Sequence, residues 1–229
     1  MKAFTALTAT ELRLLSRDPA SLFFMMAFPL MLLVLKRGEG ASVPGYIAMI
    51  AAIGGMGALP GIVAGYRERK VLKRLATTPV SPLLLLGAQL VAQVTAALAG
   101  STLLVTAAIV FFGAKAPANV PALAVTFVLC SVMVCALGFV IAAIMRNARG
   151  AGLIGMLVMF PMIFLAGAAV PRKALPDSLR QIGDFLPLTP GVDALTSAWA
   201  GTAAFFPMLI LSGIIVAGTA LAVAMFRWE

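Results

Sequence analysis

The sequence predicts an all-α membrane protein with six transmembrane helices, and two observations carry that prediction. Apolar residues make up 62% of the 229-residue chain and charged residues only 11%, whereas soluble domains average about 45–50% and about 25%. The apolar residues also fall in long blocks without charged side chains, and one spanning helix needs about 20 apolar residues. Little sequence remains for a soluble domain, which excludes a large catalytic or nucleotide-binding domain on this chain.

Six blocks are long and apolar enough to be transmembrane helices. They cover residues 20–35, 43–65, 83–112, 120–145, 150–170 and 207–226. A charged side chain at the bilayer centre costs about 2.5–3.5 kcal/mol on insertion scales, and none of the blocks contains one. We therefore expect residues 1–229 to form a single transmembrane domain.

The residue types exclude several kinds of catalytic site. The chain has no histidine, which removes serine–histidine and cysteine–histidine nucleophile pairs and histidine-based zinc motifs. Cys130 and Cys135 would point to different faces of one apolar helix, so we interpret them as small buried apolar residues rather than a disulfide. We expect no metal, no cofactor and no catalytic residue on this chain, and hence no enzyme activity of its own.

The distribution of lysine and arginine predicts the orientation of the spans. With the N-terminus inside, 11 of the 17 basic residues lie in the cytoplasm and 6 lie outside. Residues 67–74 alone carry five of them, which outweighs Lys36 and Arg37 on the other side. We expect a multi-pass protein of the inner or plasma membrane with both termini in the cytoplasm. The net charge of +9 is thereby explained without a nucleic-acid partner.

Residues 1–19 predict an amphipathic helix at the membrane surface, because apolar and basic residues fall on opposite faces at about 100° per residue. The apolar residues are Phe4, Leu7, Leu14 and Leu15, and the basic residues are Lys2, Arg13 and Arg17. Glu11 lies within the apolar face, where an unpaired carboxylate is costly. We expect a buried partner for it, an arginine of the next cytoplasmic loop. A stray glutamate on a surface helix is the alternative.

The cytoplasmic segment between the second and third spans predicts a short charged helix over residues 66–76. The Thr-Thr-Pro run that ends at Pro79 breaks this helix. Ser81 and Pro82 then start the next helix as its N-cap and first-turn proline. A helix held between two spans can transmit force. A positively charged anchor without a partner is the alternative.

The segment over residues 171–201 is too short to cross the membrane and too apolar to lie in water. It contains several prolines, and Thr189-Pro190 predicts the start of a short helix that runs to about Trp199. We expect two short helices that dip into the outer leaflet, with Trp199 at the membrane interface.

These three segments, in this order, resemble the permease subunit of type-2 ABC exporters, the family of bacterial drug, lipid and polysaccharide efflux permeases. The likeness covers nearly the whole chain. Its most specific parts are Tyr66-Arg-Glu-Arg-Lys-Val-Leu-Lys-Arg-Leu-Ala-Thr-Thr-Pro-Val-Ser-Pro, Phe160-Pro-Met-Ile-Phe-Leu-Ala-Gly and Leu186-Pro187-Leu-Thr-Pro-Gly. The sequence has no Gly-x-x-x-x-Gly-Lys motif, so the resemblance implies a separate ATP-binding cassette subunit that binds ATP and Mg²⁺.

The resemblance also implies roles for the three segments. Residues 1–19 correspond to the connecting helix and residues 66–76 to the coupling helix, which docks on the ATPase. The residues expected to couple the subunits are Glu11, Arg67, Glu68, Leu72, Lys73, Arg74 and Leu75. Re-entrant helices are expected near an outer gate, and the candidate gate residues are Pro187, Leu188, Thr189 and Pro190. The implied assembly has two permeases, expected to be a homodimer, with two ATPases and surrounding lipids.

The substrate path is expected between the first, second and fifth spans of two subunits. Its candidate residues are Met25, Phe28, Met49, Met56, Met156, Phe160 and Phe164. Methionine adapts to varied apolar shapes, which favours an apolar or amphipathic, drug-like or lipid-like substrate. Gap-filling methionine and a polysaccharide or glycolipid exporter are the alternatives. A secondary transporter or an intramembrane enzyme is disfavoured, since no ionisable residue lies within the six blocks.

Three glycines of the second span predict a helix-packing face. Gly57, Gly61 and Gly65 are spaced four residues apart, which places them on one side of a helix, where another backbone can approach closely. Flexibility around Pro60 is the alternative.

Leu72→Asp is expected to abolish stimulation of the partner ATPase by substrate, whereas Lys73→Ala is expected to have a mild effect. Buried apolar anchors usually dominate the free energy of an interface, while exposed ion pairs contribute about 0–1 kcal/mol. The measurement is ATPase activity with and without substrate, together with co-purification of the partner. If the Leu72→Asp variant keeps both binding and stimulation, this segment does not transmit the motion.

Overall fold

The structure, a computed structural model, describes residues 2–36, 43–71, 81–202 and 204–225. Its helices are α1 (Lys2–Ser16), α2 (Pro19–Leu35), α3 (Val43–Glu68), α4 (Pro82–Phe112), α5 (Val120–Ile144), α6 (Ala148–Leu165), α7 (Asp177–Asp184), α8 (Leu188–Trp199) and α9 (Phe205–Met225). A 3-10 turn lies at Arg172–Ala174. No strand occurs in the described ranges, and the predicted all-α class is confirmed.

The described helices include five that are long and apolar enough to cross a membrane, namely α3, α4, α5, α6 and α9. Helices α1 and α2 pass the same test together, with a bend of 79° between them, and make a sixth candidate when they are counted as one broken span. The prediction of an all-α membrane protein with up to six spans therefore agrees with the structure.

Local capping explains where the helices begin. The Ser81 side chain accepts a hydrogen bond from the backbone N–H of Leu83 at 3.3 Å, so the predicted start of α4 is confirmed. Asn119 caps α5 in the same way and Asn147 caps α6. A side-chain oxygen at this position satisfies one of the backbone N–H groups that the first turn leaves unpaired.

Helix α3 is the centre of the bundle. All residues of its first part, Val43–Ala52, are buried, and the helix packs against α4, α5, α6 and α8. Helix α9 lies on the outside, packed mainly along α5, and exposes large apolar side chains such as Phe205, Phe206 and Val216. Exposed apolar faces of this kind fit contact with lipid tails, which are as apolar as the side chains themselves.

The closest backbone approaches in the bundle involve the π-helical turn Ile53–Ala58 of α3. A Cβ atom on Gly138 of α5 would overlap the carbonyl oxygen of Gly55, and a Cβ atom on Gly155 of α6 would overlap that of Met56. Only glycine allows these contacts, because any side chain would collide with backbone that cannot rotate away.

The three glycines predicted to pack, Gly57, Gly61 and Gly65, all lie against α6. A Cβ atom on Gly61 would be 3.4 Å from the carbonyl oxygen of Ala148, and one on Gly65 would be 3.6 Å from the Cβ of Ala148. These contacts are looser than those at Gly138 and Gly155, which the spacing rule did not indicate.

Two predicted helix boundaries differ from the structure. Helix α3 continues through Tyr66 to Glu68 and ends there, since Lys70 has a left-handed φ of 56°; residues 66–76 are therefore not one helix. Residues 72–76 lie outside the described residues. Helix α8 begins at Leu188, and the Thr189 hydroxyl donates to the carbonyl oxygen of Gly183 instead of capping the helix.

Gly138→Ala and Gly155→Ala are expected to lower the thermal unfolding temperature and the yield of folded protein. Overpacking of this kind costs about 1–3 kcal/mol, and the colliding atoms are backbone. Gly61→Ala is expected to be milder, while Gly61→Leu reaches past the 3.4 Å gap and disrupts assembly or transport. The measurement is thermal unfolding in detergent with size-exclusion yield.

Gly213→Ala on α9 is the matched control, because no described atom lies within 4 Å of a Cβ at that position. Alanine is favoured over glycine in a helix by about 0.5–1 kcal/mol, so this variant should be neutral or slightly stabilised. Equal destabilisation of all these variants would remove the packing argument.

Candidate functional site

An apolar cavity of about 410 Å³ lies between α2, the middle of α3 and α6. Aromatic and thioether side chains form most of its wall, among them Phe24, Phe28, Met159, Phe160 and Phe164. Both α2 and α3 contain a π-helical turn here, at Phe23–Ala27 and Ile53–Ala58. Such turns occur frequently at functional sites. The size and the predominantly apolar lining are typical of small-molecule sites.

The predicted substrate-path residues divide into two groups. Those that line the cavity are Met25, Phe28, Met156, Phe160 and Phe164. Met49 and Met56 are 0% and 1% exposed and belong to the core; they are not among the residues that line the cavity. The π turn changes the angular phase of α3, so a constant helical step does not predict which of its residues share a face.

Three polar residues also border the cavity, namely Asp18, Ser21 and Gln93. Asp18 precedes α2 and accepts hydrogen bonds from the Ser21 hydroxyl at 2.5 Å and the Ala20 N–H at 3.2 Å. Gln93 lies on α4, is buried, and has no hydrogen-bond partner for its amide among the described residues. The sequence analysis missed Gln93, although a glutamine inside a long apolar span is a visible signal.

A second group of polar residues joins α1 to the end of α3. Glu11 is only 6% exposed, and the Tyr66 hydroxyl donates to its Oε2 at 2.5 Å. The same hydroxyl lies 3.4 Å from Oε1 of Gln89 on α4. Burial raises the pKa of the Glu11 carboxyl, and the hydrogen bond from Tyr66 partly offsets that rise.

The predicted arginine partner of Glu11 is thus replaced, within the described residues, by a tyrosine. A phenol is neutral, so its burial beside the carboxyl group carries no cost of desolvating a second charge. Tyr66 precedes the charged run directly and was not considered as a partner.

Arg67 and Glu68 connect the end of α3 to the turn between α5 and α6. The Arg67 guanidinium donates to the carbonyl oxygens of Ala142 at 3.2 Å and Ala143 at 3.4 Å, and to that of Met145. These carbonyls belong to the end of α5, where helix geometry leaves them unpaired and partially negative. Of the other predicted coupling residues, Leu72, Lys73, Arg74 and Leu75 lie outside the described residues.

Glu68 makes the complementary contact at the start of α6. Its Oε2 accepts a hydrogen bond from the Ala148 N–H at 2.9 Å, at a helix N-terminus that favours negative charge. Two consecutive residues of α3 therefore hold the adjoining ends of α5 and α6.

At the opposite end of the bundle, the segment after α6 is tied to α2 and to itself. The Lys36 ammonium donates to the carbonyl oxygen of Ala169 at 2.8 Å, which gives this basic residue a local partner on its predicted outer side. Arg172 pairs with Asp184 and lies 3.8 Å from Asp193. The backbone of Gly183 presses on the carbonyl oxygen of Leu165, which positions α7 over the end of α6.

The predicted gate residues lie where α8 begins. Leu188 and Thr189 are buried against the chain's own helices, and Pro187 and Pro190 are half-buried. The side chain exposed in this region is Phe185, which is 90% exposed.

This arrangement defines a class of protein: a multi-pass membrane protein with an apolar cavity in its bundle and a polar network that ties the helix ends on one side. The sequence profile of the family described as ABC-2 type transporter matches residues 2–200. The chain belongs to this family. A search of curated proteins gave no match.

Membership makes the chain the transmembrane subunit of an ABC-type exporter. It is a transporter component and not itself catalytic, and it works with an ATP-binding subunit. The alternatives left open by the sequence are thereby decided in favour of an ABC-type permease.

Glu11→Gln is expected to make the unfolding temperature less dependent on pH. Because burial raises the pKa of Glu11 in the folded state, the wild-type protein is penalised once the pH rises above the unfolded carboxyl pKa, and fully above the folded one. Glutamine keeps an acceptor for Tyr66 and never ionises. The variant should therefore gain on the wild type as the pH rises, and match it most closely in acid.

The measurement is a pH series of thermal unfolding in detergent. Glu11→Ala is the control, because it removes the acceptor and should be less stable than Glu11→Gln throughout. Parallel pH profiles for wild type and Glu11→Gln would contradict a buried, titrating Glu11.

Proposed function

We propose that this permease exports an apolar or amphipathic substrate, drug-like or lipid-like, by alternating access. A separate ATPase subunit would bind ATP and Mg²⁺ and supply the energy. The observation that carries the proposal is the 410 Å³ cavity between α2, α3 and α6. Its size lies within the range of about 300–1,000 Å³ that is usual for drug-sized ligands.

The composition of the cavity wall supports this substrate class over a sugar polymer. Phenylalanine and methionine provide large, adaptable apolar surfaces, and polar groups at the cavity are few in the described part of the chain. A polysaccharide carries many hydroxyl groups that would lose their hydrogen bonds to water in such a cavity. A polysaccharide or glycolipid exporter is therefore the second candidate.

A second copy of the chain is proposed to complete the cavity. Apolar side chains next to it on α6 are exposed in the single subunit, among them Leu153, Leu157 and Phe164. A closed two-fold pair is the commonest arrangement of identical subunits. We propose a homodimer in the inner or plasma membrane, with both termini in the cytoplasm and an ATPase on each permease.

Coupling is proposed to act through the end of α3. The segment that follows Glu68 would dock on the ATPase, with Leu72 and Leu75 as apolar anchors and Lys73 and Arg74 at the rim. Arg67 and Glu68 contact α5 and α6 within the chain, so their proposed role is to pass on the displacement rather than to bind the ATPase. Since α6 lines the cavity, motion of its start would reshape the substrate site.

The outer gate is proposed to consist of α7 and the start of α8. Pro187, Leu188, Thr189 and Pro190 would set its shape from within the subunit, because Leu188 and Thr189 are buried. Contact across the dimer would then fall to exposed neighbours such as Phe185. The ion pair between Arg172 and Asp184 ties α7 to the turn after α6 and keeps the gate folded.

Met156→Trp is expected to abolish stimulation of ATPase activity by a panel of apolar and amphipathic compounds. The larger side chain fills the cavity from α6, where Met156 lines the wall and is 43% exposed. Basal ATPase activity should persist. The measurement is ATPase activity of the reconstituted permease–ATPase complex across the panel.

Leu209→Trp on α9 is the matched control, because Leu209 is exposed and does not line the cavity. It should keep the wild-type response. If the wild-type complex responds to soluble oligosaccharides and to none of the apolar compounds, the second candidate replaces the first.

A further inference from the structure

We propose that Gln93 is the hydrogen-bonding group of the cavity, and that it selects substrates with an uncharged hydroxyl, carbonyl or amide group on an apolar body. The inference rests on the proposed function, since it assigns a substrate class to the same cavity. It adds the residue that recognises the substrate and the chemical group that is recognised.

Gln93 is a buried amide that the described protein leaves unpaired. The residue is 1% exposed, and neither its Nε2 nor its Oε1 has a hydrogen-bond partner among the described residues. An amide buried without hydrogen bonds costs free energy that packing does not return. Because Gln93 borders the cavity, a molecule in the cavity can supply the missing hydrogen bonds.

The geometry around Gln93 leaves room for such a contact. A Cβ atom on Gly54 would lie 3.0 Å from Oε1 of Gln93 and 3.1 Å from Cε of Met25. Amide oxygen, glycine and thioether thus meet at one point, and all three residues line the cavity. Glycine leaves space beside the amide, and the unbranched Met25 side chain can rotate aside.

The charge distribution argues for an uncharged group at this point. Among the described residues that line the cavity, only Asp18 is ionisable. Asp18 precedes α2, and Met25 lies seven residues further along, which is about 10 Å on a helix that rises about 1.5 Å per residue. An ion beside Gln93 would lose its water without gaining a nearby counter-charge. A neutral amide, in contrast, both donates and accepts hydrogen bonds.

The test compares two probes that share one ring system, anthracene and 9-anthracenemethanol. Their binding to the full permease–ATPase complex in lipid nanodiscs is followed by fluorescence anisotropy, with empty nanodiscs as the blank. The wild-type complex should bind the alcohol about five- to tenfold more tightly, as expected for one neutral hydrogen bond. Gln93→Met has a similar shape without the amide, so it should bring this ratio to about one and leave anthracene binding unchanged.

Gln89→Met is the matched control. Gln89 lies one turn away on α4 and is equally buried, but it does not line the cavity, so the preference for the alcohol should persist. Gly54→Ala provides a second route if Gln93→Met does not fold, because the added Cβ displaces the amide oxygen and should weaken the preference.

The outcomes separate the inference from the proposed function. Anthracene binding without preference for the alcohol in the wild type overturns the inference alone, as does a preference that survives in Gln93→Met or disappears equally in Gln89→Met. If neither probe binds the wild-type complex, the inference and the proposed function both fail.

Discussion

The close approach of α3 to α5 and α6 is the constraint on which the rest of the bundle depends. Lipid tails are as apolar as the side chains, so membrane helices associate through van der Waals packing rather than by escaping water. Gly55 and Gly138 bring α3 against α5, and Gly155 brings α6 against the Met56 carbonyl. The separation of α3 and α6 that these glycines permit also sets the width of the cavity between them.

The polar side chains of the bundle are concentrated where they connect helices. Tyr66, Arg67 and Glu68 are consecutive residues at the end of α3, and they bond to α1, to the end of α5 and to the start of α6. In a low-dielectric environment such bonds are strong and their loss is costly. A displacement at this end of α3 is therefore expected to move three neighbouring helices together.

Helix α6 connects the proposed functions of the two ends. Glu68 binds its first turn, Met156 and Phe160 line the cavity from its middle, and the carbonyl oxygen of Leu165 at its end meets Gly183 of α7. One rigid element thus contacts the coupling region, the cavity and the segment proposed as the outer gate. This continuity supports a mechanism in which the motion of the coupling segment alters the cavity and its exit together.

The sequence by itself determined the features that depend on neighbouring residues along the chain: the apolar spans, the surface helix α1 and the start of α4 at Ser81 and Pro82. It also identified most of the cavity wall, because phenylalanine and methionine mark it. Only the tertiary structure decided that Tyr66 is the partner of Glu11, that Met49 lies in the core, and that Gln93 borders the cavity unpaired. These depend on which helices lie side by side, and the π turns of α2 and α3 shift the helical phase that a sequence pattern must assume to be constant.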